Sequence, residues 1–335
     1  MFWNKKTYIG VDLGSFSMKV CSLDSSRNSC TVSSHLIHPE RTGKEDNLTA
    51  EAWRARVGQL LKQAITKAGY SSPRVRLALE DDGASTGYLE LPPLTKEQMQ
   101  VAIPTAVARE IPQGLQEIDL SSWLVPALQD LKKNGVFYLA FPKNSKDPRS
   151  HALGPQDVQS EPALLSLVRG LKKNGTVQSD EVTAVIQSGF RTTNVVLLKA
   201  GNPYFARDFR LAGADFTYAF QMGEQIGWKE AEARKLAHDV TTQDFQIESF
   251  IQKWLGEIRR SLNFAEGRLP ELKPTKVVFT GGSSLWNGLA ERLQSFLELP
   301  VERQAWNKIK PSEPNTSNAS DLAFYDIALG LVSRE

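Results

Sequence analysis

The stretch Tyr8-Ile-Gly-Val-Asp-Leu-Gly-Ser-Phe-Ser-Met-Lys-Val-Cys-Ser-Leu23 decides how the rest of the chain is read. An apolar run reaches Asp12, small residues follow through Gly14 and Ser15, and a second apolar run leaves from Met18. That pattern predicts a β-hairpin with a carboxylate at the end of its first strand. Gly14 carries no Cβ, so the backbone at the tip can approach a ligand closely. Backbone N–H groups, Ser15, Ser17 and Lys19 can then meet phosphate oxygens, and Asp12 can hold the hydration shell of Mg²⁺. Taken alone, the stretch reads equally well as a structural hairpin whose turn carries an Asp and a Gly.

A second copy shifts the balance. Val182-Thr-Ala-Val-Ile-Gln-Ser-Gly-Phe-Arg-Thr-Thr-Asn-Val-Val-Leu-Leu198 superposes on the first stretch at a constant offset. Gln187 falls on Asp12, Gly189 on Gly14, Thr192 on Ser17 and Val195 on Val20. Repetition in register at that distance implies two related halves. Two glycine-tipped hairpins facing one another can grip a polyphosphate from both sides.

The 335 residues are enough to bury a large core and are expected to form two domains. With 41% hydrophobic and 23% charged residues, the composition is that of an ordinary globular protein. The net charge is +2, from 40 basic and 38 acidic residues interspersed, which argues against a nucleic-acid binder. Cys21 and Cys30 are too few for a disulfide framework or a cysteine zinc site. No apolar run approaches the ~20 residues of a membrane span. Met1-Phe-Trp-Asn-Lys-Lys6 leads almost directly into the first strand, so a cytoplasmic location is expected.

Outward from the first hairpin, residues 30–38 read as a third strand after a turn at Asp24–Asn28. Leu48–Gly69 reads as a helix capped by Thr49, with Val57, Leu60, Leu61, Ala64 and Ile65 on one face. Val75, Leu77 and Leu79 alternate as in a strand. Residues 83–143 then read as a small inserted α+β unit: a strand through Leu89, a helix after Thr95, and strands Leu120–Pro126 and Val136–Phe141. Met99, Ile103, Val107 and Ile111 recur along that helix, and Pro104 inside it is expected to kink or split it. The polar linker Lys143–Gly154 leaves room for a turn or two of helix, and Leu164–Leu171 reads as a helix returning to the first layer. After the second hairpin come a strand Phe205–Leu211 and helices Phe216–Gly227, Lys229–His238 and Phe245–Arg268. Lys276–Thr280 is a strand running into Gly281-Gly282, a helix follows through Leu289, Leu293 and Leu297, and Ala323–Ser333 closes the chain as a short apolar helix.

With these pieces in order, the chain resembles the actin-like ATPase superfamily. Within it, the chain resembles the PilM-like proteins of the type IV pilus inner-membrane platform. Leu89-Glu-Leu-Pro-Pro-Leu94 with Ala108-Arg-Glu-Ile-Pro112, Asp157-Val-Gln-Ser-Glu-Pro-Ala163, Ala231-Glu232 with Lys235, Glu257-Ile-Arg-Arg-Ser-Leu262 and Ala328-Leu-Gly-Leu331 carry the closer likeness. The resemblance implies an α/β, actin-like bilobed fold of two RNase H-like domains, with an inserted α+β subdomain called 1C. It assigns residues 1–82, 155–181 and 320–335 to subdomain 1A, and 83–154 to subdomain 1C and its linker. Residues 182–213 and 275–319 fall to subdomain 2A, and 214–274 to helical subdomain 2B. It implies ATP with Mg²⁺ in the cleft. Asp12, Gly14, Ser15, Ser17 and Lys19 would serve as a first phosphate hairpin, with Asp12 holding the metal through water. Gly189, Arg191, Thr192 and Thr193 would form a second. Gly213, Glu232, Lys235, Gly281, Gly282 and Ser283 would lie on the adenosine side, although Glu232 and Lys235 read equally well as an ion pair on a helix surface. It also implies a partner, the cytoplasmic N-terminal peptide of a PilN-like membrane protein, received between subdomains 1A and 1C.

The chain departs from the family at one decisive place. The second phosphate hairpin ordinarily opens with Asp, and here that place is Gln187. A neutral amide neither attracts Mg²⁺ nor orients an attacking water as a carboxylate does, so hydrolysis is expected to fall about 10²–10³-fold. The expectation is therefore a nucleotide-binding adaptor, at most a slow ATPase. Two other readings compete: an active ATPase or small-molecule kinase of the same superfamily, and a self-associating, filament-forming FtsA-like protein. Leu331-Val-Ser-Arg-Glu335 does not supply the amphipathic membrane helix of the last.

Overall fold

The computed structural model describes residues 8–24, 28–46, 48–67, 74–79, 84–112, 114–143, 158–177, 181–240, 245–311 and 321–333. The opening Met1–Lys6, part of the Asp24–Asn28 turn, most of the Lys143–Gly154 linker and residues 312–320 lie outside them.

The first hairpin forms as its sequence predicts. Strands β1 (Tyr8–Leu13) and β2 (Ser17–Asp24) pair antiparallel, with Asp12 opposite Lys19 and Val11 opposite Val20. Strand β3 (Ser29–Leu36) continues the meander, and helix α1 (Ala50–Lys67) follows. The Thr49 hydroxyl caps α1 by accepting the Ala52 N–H at 3.2 Å. Val57, Leu60, Leu61 and Ala64 of α1 are buried with β1 and β2 side chains. Strand β4 (Arg74–Leu79) lies parallel to β1.

The insert comprises β5 (Ser85–Leu91), α2 (Lys96–Val107), β6 (Ile118–Pro126) and β7 (Asn134–Pro142), with strand order β5-β7-β6. Thr95 and Gln98 form a reciprocal capping box at the start of α2. Successive residues of β7 point to opposite faces, and both faces are covered. Val136, Tyr138 and Ala140 meet Met99, Ile103 and Val107 of α2, while Phe137 and Leu139 enter the core of the second half. Pro104 does not split α2. The carbonyl that a proline there leaves without its helical donor is that of Gln100, whose residue is exposed to water. The regular helix stops at Val107, and Ile111 is reached through tighter turns.

Strand β8 (Val158–Pro162) is an element the sequence reading did not anticipate; it pairs parallel with β4 at the sheet edge. It leads into α3 (Ala163–Asn174). The second half then repeats the first. Strands β9 (Val182–Ser188) and β10 (Thr193–Lys199) pair antiparallel, and β11 (Asn202–Phe209) continues the meander. Helices α4 (Gly213–Glu224), α5 (Trp228–Ala237) and α6 (Phe245–Arg268) precede β12 (Lys276–Thr280), which lies parallel to β9. Helix α7 (Leu289–Leu297) and strands β13 (Val301–Arg303) and β14 (Lys310–Pro311) lead to α8 (Asp326–Val332). The two main sheets run β14-β3-β2-β1-β4-β8 and β11-β10-β9-β12-β13.

Helix α8 crosses α3 with no room for side chains between them: a Cβ on Gly330 would stand 1.8 Å from the Ser166 carbonyl oxygen. The insert docks on β11, where the Thr86 hydroxyl donates to the Ala206 carbonyl at 2.5 Å and Tyr204 donates to Pro126 at 2.9 Å. No helix among the described residues is long and apolar enough to cross a membrane.

Candidate functional site

The turns of the two hairpins face one cavity of about 310 Å³, within the range of small-molecule sites. On the first hairpin, Lys19 Nζ donates to the Asp12 carboxylate at 2.9 Å, directly across the strand pair. A Cβ on Gly14 would lie 3.0 Å from that Nζ, so a larger residue there would press on the end of the lysine. Ser15 lines the tip, and its carbonyl accepts from Arg41 at 3.4 Å. The Ser17 hydroxyl is buried on the cavity wall and has no hydrogen-bond partner among the described residues. A buried hydroxyl left unsatisfied is costly, and a ligand oxygen in the cavity would satisfy it.

The second hairpin reaches the same cavity with Gln187, Gly189, Arg191 and Thr192. Gly189 N–H donates to the Thr192 carbonyl at 2.9 Å and closes the turn. Gly213, the first residue of α4, donates to the Gly189 carbonyl at 3.1 Å and joins the cavity wall. Thr193 does not reach the cavity, contrary to the expectation for it. It is fully buried behind the turn, where its hydroxyl donates to Leu211 and accepts the Trp254 indole N–H.

Sequence reasoning also missed a polar row along the cavity wall. Asp208, Asn194, Gln187 and Thr280 are successive cross-strand neighbours on β11, β10, β9 and β12, and all four line the cavity. The Asn194 amide donates to Gln187 Oε1 at 2.8 Å. The Thr280 hydroxyl donates to the Asp326 carboxylate, which also accepts the Trp306 indole N–H. Burial pushes the Asp326 carboxyl up to about 7, against which those two donors act.

The remaining predicted residues line the same cavity. Gly281 adopts φ +85, and a Cβ there would stand 2.5 Å from the Ser188 carbonyl oxygen. Gly282 lies beside the Phe324 ring, and Ser283 Oγ donates to the Gly189 carbonyl at 3.4 Å. Glu232 and Lys235 of α5 do form an ion pair, at 2.8 Å, but it belongs to the cavity wall: Lys235 is only 8% exposed. Lys235 also donates to the Thr217 hydroxyl at 2.9 Å and to the Gly213 carbonyl at 3.4 Å.

A family model described as type IV pilus assembly protein PilM matches residues 10–334. The chain belongs to the PilM family. Among curated protein sequences none matches it. Similar solved structures include a PilM–PilN type IV pilus biogenesis complex, with TM-score 0.80, 21% identity and 97% of each chain covered. MreB 5 of Spiroplasma citri bound to AMPPNP matches with TM-score 0.54 and 12% identity, covering 98% of this chain and 95% of that one. An archaeal actin homologue matches with TM-score 0.50 and 13% identity, over 97% and 98% of the two chains. The actin-like fold and the PilM resemblance read from the sequence are both borne out.

At the mouth of the cleft, this PilM-family chain joins its hairpin tips directly. The Phe16 ring stacks on Phe190 at 4.9 Å and 30°, and the Arg41 guanidinium lies 4.8 Å from the centre of the same Phe190 ring. Burial and the like charge of Arg191 lower the Arg41 pKa. Lys44 pairs with Asp215 of α4 at 3.1 Å, and Gln221 donates to the Thr42 carbonyl at 2.9 Å. The residues present suit a polyanion: glycine-lined turns, two lysines, an arginine and one orphaned hydroxyl. They suit a metal less well. Among the hairpin residues that line the cavity Asp12 is the one carboxylate, and no group of three His, Cys, Asp or Glu among the described residues can hold an ion. Asp12 therefore fits Mg²⁺ only as one ligand, through water, beside phosphate oxygens.

Proposed function

We propose that this protein is a cytoplasmic ATP-binding adaptor of a type IV pilus assembly platform, with weak or no ATP hydrolysis. One observation carries the reading: two hairpins of the same build share a cavity, and only the first ends its opening strand in a carboxylate. Ser15, Ser17, Lys19 and the amide at Gly14 take the phosphates from one side, and Gly189, Arg191 and Thr192 from the other. Gly213, Glu232, Lys235, Gly281, Gly282 and Ser283 take the adenosine side. Asp12 would hold Mg²⁺ through water, and the ion would supply charge neutralisation of the phosphates where it is bound. Gln187 offers no carboxylate to orient an attacking water, so the loss of turnover is about 10²–10³-fold.

Subdomain 1A, the insert 1C, and subdomains 2A and 2B then move as parts about the cleft, with the boundaries given above. The partner is the N-terminal cytoplasmic tail of a PilN-like inner-membrane protein, received in a groove beside the insert at 83–143. Membership of the PilM family and the fold shared with a PilM–PilN complex support that choice. The adaptor thus reaches the inner membrane through its partner. Nucleotide affects the partner only insofar as it binds one arrangement of the two halves better than another.

Calorimetry with ATP, ADP and a peptide from the candidate membrane partner, in both orders of addition, tests this. Nucleotide is expected to change peptide affinity by the same factor as peptide changes nucleotide affinity. Steady-state hydrolysis at enzyme-like rates, abolished by Asp12→Ala, overturns the adaptor reading.

A further inference from the structure

The two hairpins present opposite hydrogen-bonding chemistry at matching places. In the first, Lys19 donates to Asp12, and the carboxylate faces the cavity as an acceptor. In the second, both members of the pair differ: Gln187 stands at the Asp12 place and Asn194 at the Lys19 place. An amide has one carbonyl oxygen and two N–H donors. The Gln187 oxygen is engaged by Asn194 at 2.8 Å, which leaves its NH₂ group for the cavity. That nitrogen points toward the turn, 3.7 Å from where a Cβ on Gly189 would stand.

A carboxylate at this position would repel a phosphate oxygen unless a divalent cation stood between them. An N–H donor removes the repulsion and binds the oxygen directly, as a charge-assisted hydrogen bond. We infer that Gln187 holds the terminal phosphate group of a nucleoside triphosphate directly as a donor, that Asn194 sets this orientation, and that affinity therefore depends little on Mg²⁺. The inference rests on the nucleotide reading above. Asn194 is a positioning residue, acting through Gln187.

The test is calorimetry of the full chain with ATP, in excess Mg²⁺ and in excess EDTA. The wild-type affinity is expected to differ by less than about tenfold between the two. Asn194→Asp places a pure acceptor beside Gln187, takes its N–H and turns the carbonyl oxygen to the cavity. Its affinity is expected to fall about tenfold in EDTA and to recover in Mg²⁺. Asn194 faces Asp208 across the strands, so Gln187→Glu serves if that variant fails to fold. Gln187→Glu also loses its donor, and is expected to become strictly Mg²⁺-dependent. A residue of purely structural importance lowers both conditions by the same factor. That equal shift in the variants, or a wild-type loss of about tenfold or more in EDTA, overturns the inference. Wild-type binding in neither condition overturns the nucleotide reading itself, and this inference with it.

Discussion

The two hairpins at the cleft share a backbone and differ in what they aim at it. Each pairs antiparallel in the same register, each turns at a glycine two residues past the polar strand end, and each has a parallel strand beside its first member. The first carries the charged pair Asp12–Lys19 at 2.9 Å, and the second the neutral pair Gln187–Asn194 at 2.8 Å. Beside Asp12 stands Ala78, whereas beside Gln187 stands Thr280, whose hydroxyl bonds Asp326. The polar row of the second half begins at Asp208 and, through Thr280, meets Asp326 of α8 from the first half, with the pair itself uncharged. A cross-strand pair satisfies its own polar groups either way, so the fold tolerates the exchange while the face shown to a ligand changes.

Away from the tips the halves are not interchangeable, and the largest effect is expected there. Gly10 of β1 lies against α8, where a Cβ would stand 2.3 Å from the Ala328 carbonyl oxygen. The corresponding residue of β9 is the fully buried Val185. Gly10→Val makes the first half like the second, and is expected to cost about 3 kcal/mol or more by overpacking a backbone contact. Denaturant unfolding measures this. A loss below about 1 kcal/mol would show that α8 can move away freely.

A smaller effect compares the pairs directly. Asp12→Ala leaves the Lys19 ammonium largely buried without its carboxylate, which is expected to cost about 3 kcal/mol. Gln187→Ala leaves a neutral amide at Asn194 and is expected to cost about 1 kcal/mol. The same unfolding experiment measures both. Equal losses would mean that the charge in the first pair contributes nothing beyond its hydrogen bond.

Much of this asymmetry was legible in the sequence, and its gaps have physical causes. The superposition that placed Gln187 on Asp12 also places Asn194 on Lys19, so the neutral pair could have been read beforehand. It likewise places Thr193 on Met18, a wholly buried position, which explains why Thr193 points into the core. Strand β8 escaped because an edge strand reading Val158-Gln-Ser-Glu-Pro162 buries little and shows no apolar alternation. Arg41, Lys44 and the stacked Phe16–Phe190 pair were invisible for another reason. Their partners lie far along the chain, and only the approach of the two halves brings them together.

Asp326 sharpens the comparison by pH. Its folded-state pKa is raised to about 7 by burial, against an ordinary value of 3.8. The folded protein then binds this proton more tightly than the unfolded chain does. The associated stability is fully present below the ordinary carboxylate pKa and is lost as pH rises toward 7. The loss from this one group is at most about 1.4 kcal/mol per pH unit, and it levels off above the folded pKa. Asp326→Asn removes the titration while keeping an oxygen to accept from Thr280 or Trp306. Whatever its absolute stability, its unfolding free energy is expected to fall less steeply than the wild type's between pH 4 and 7. Parallel slopes would show that Asp326 does not carry the pH dependence.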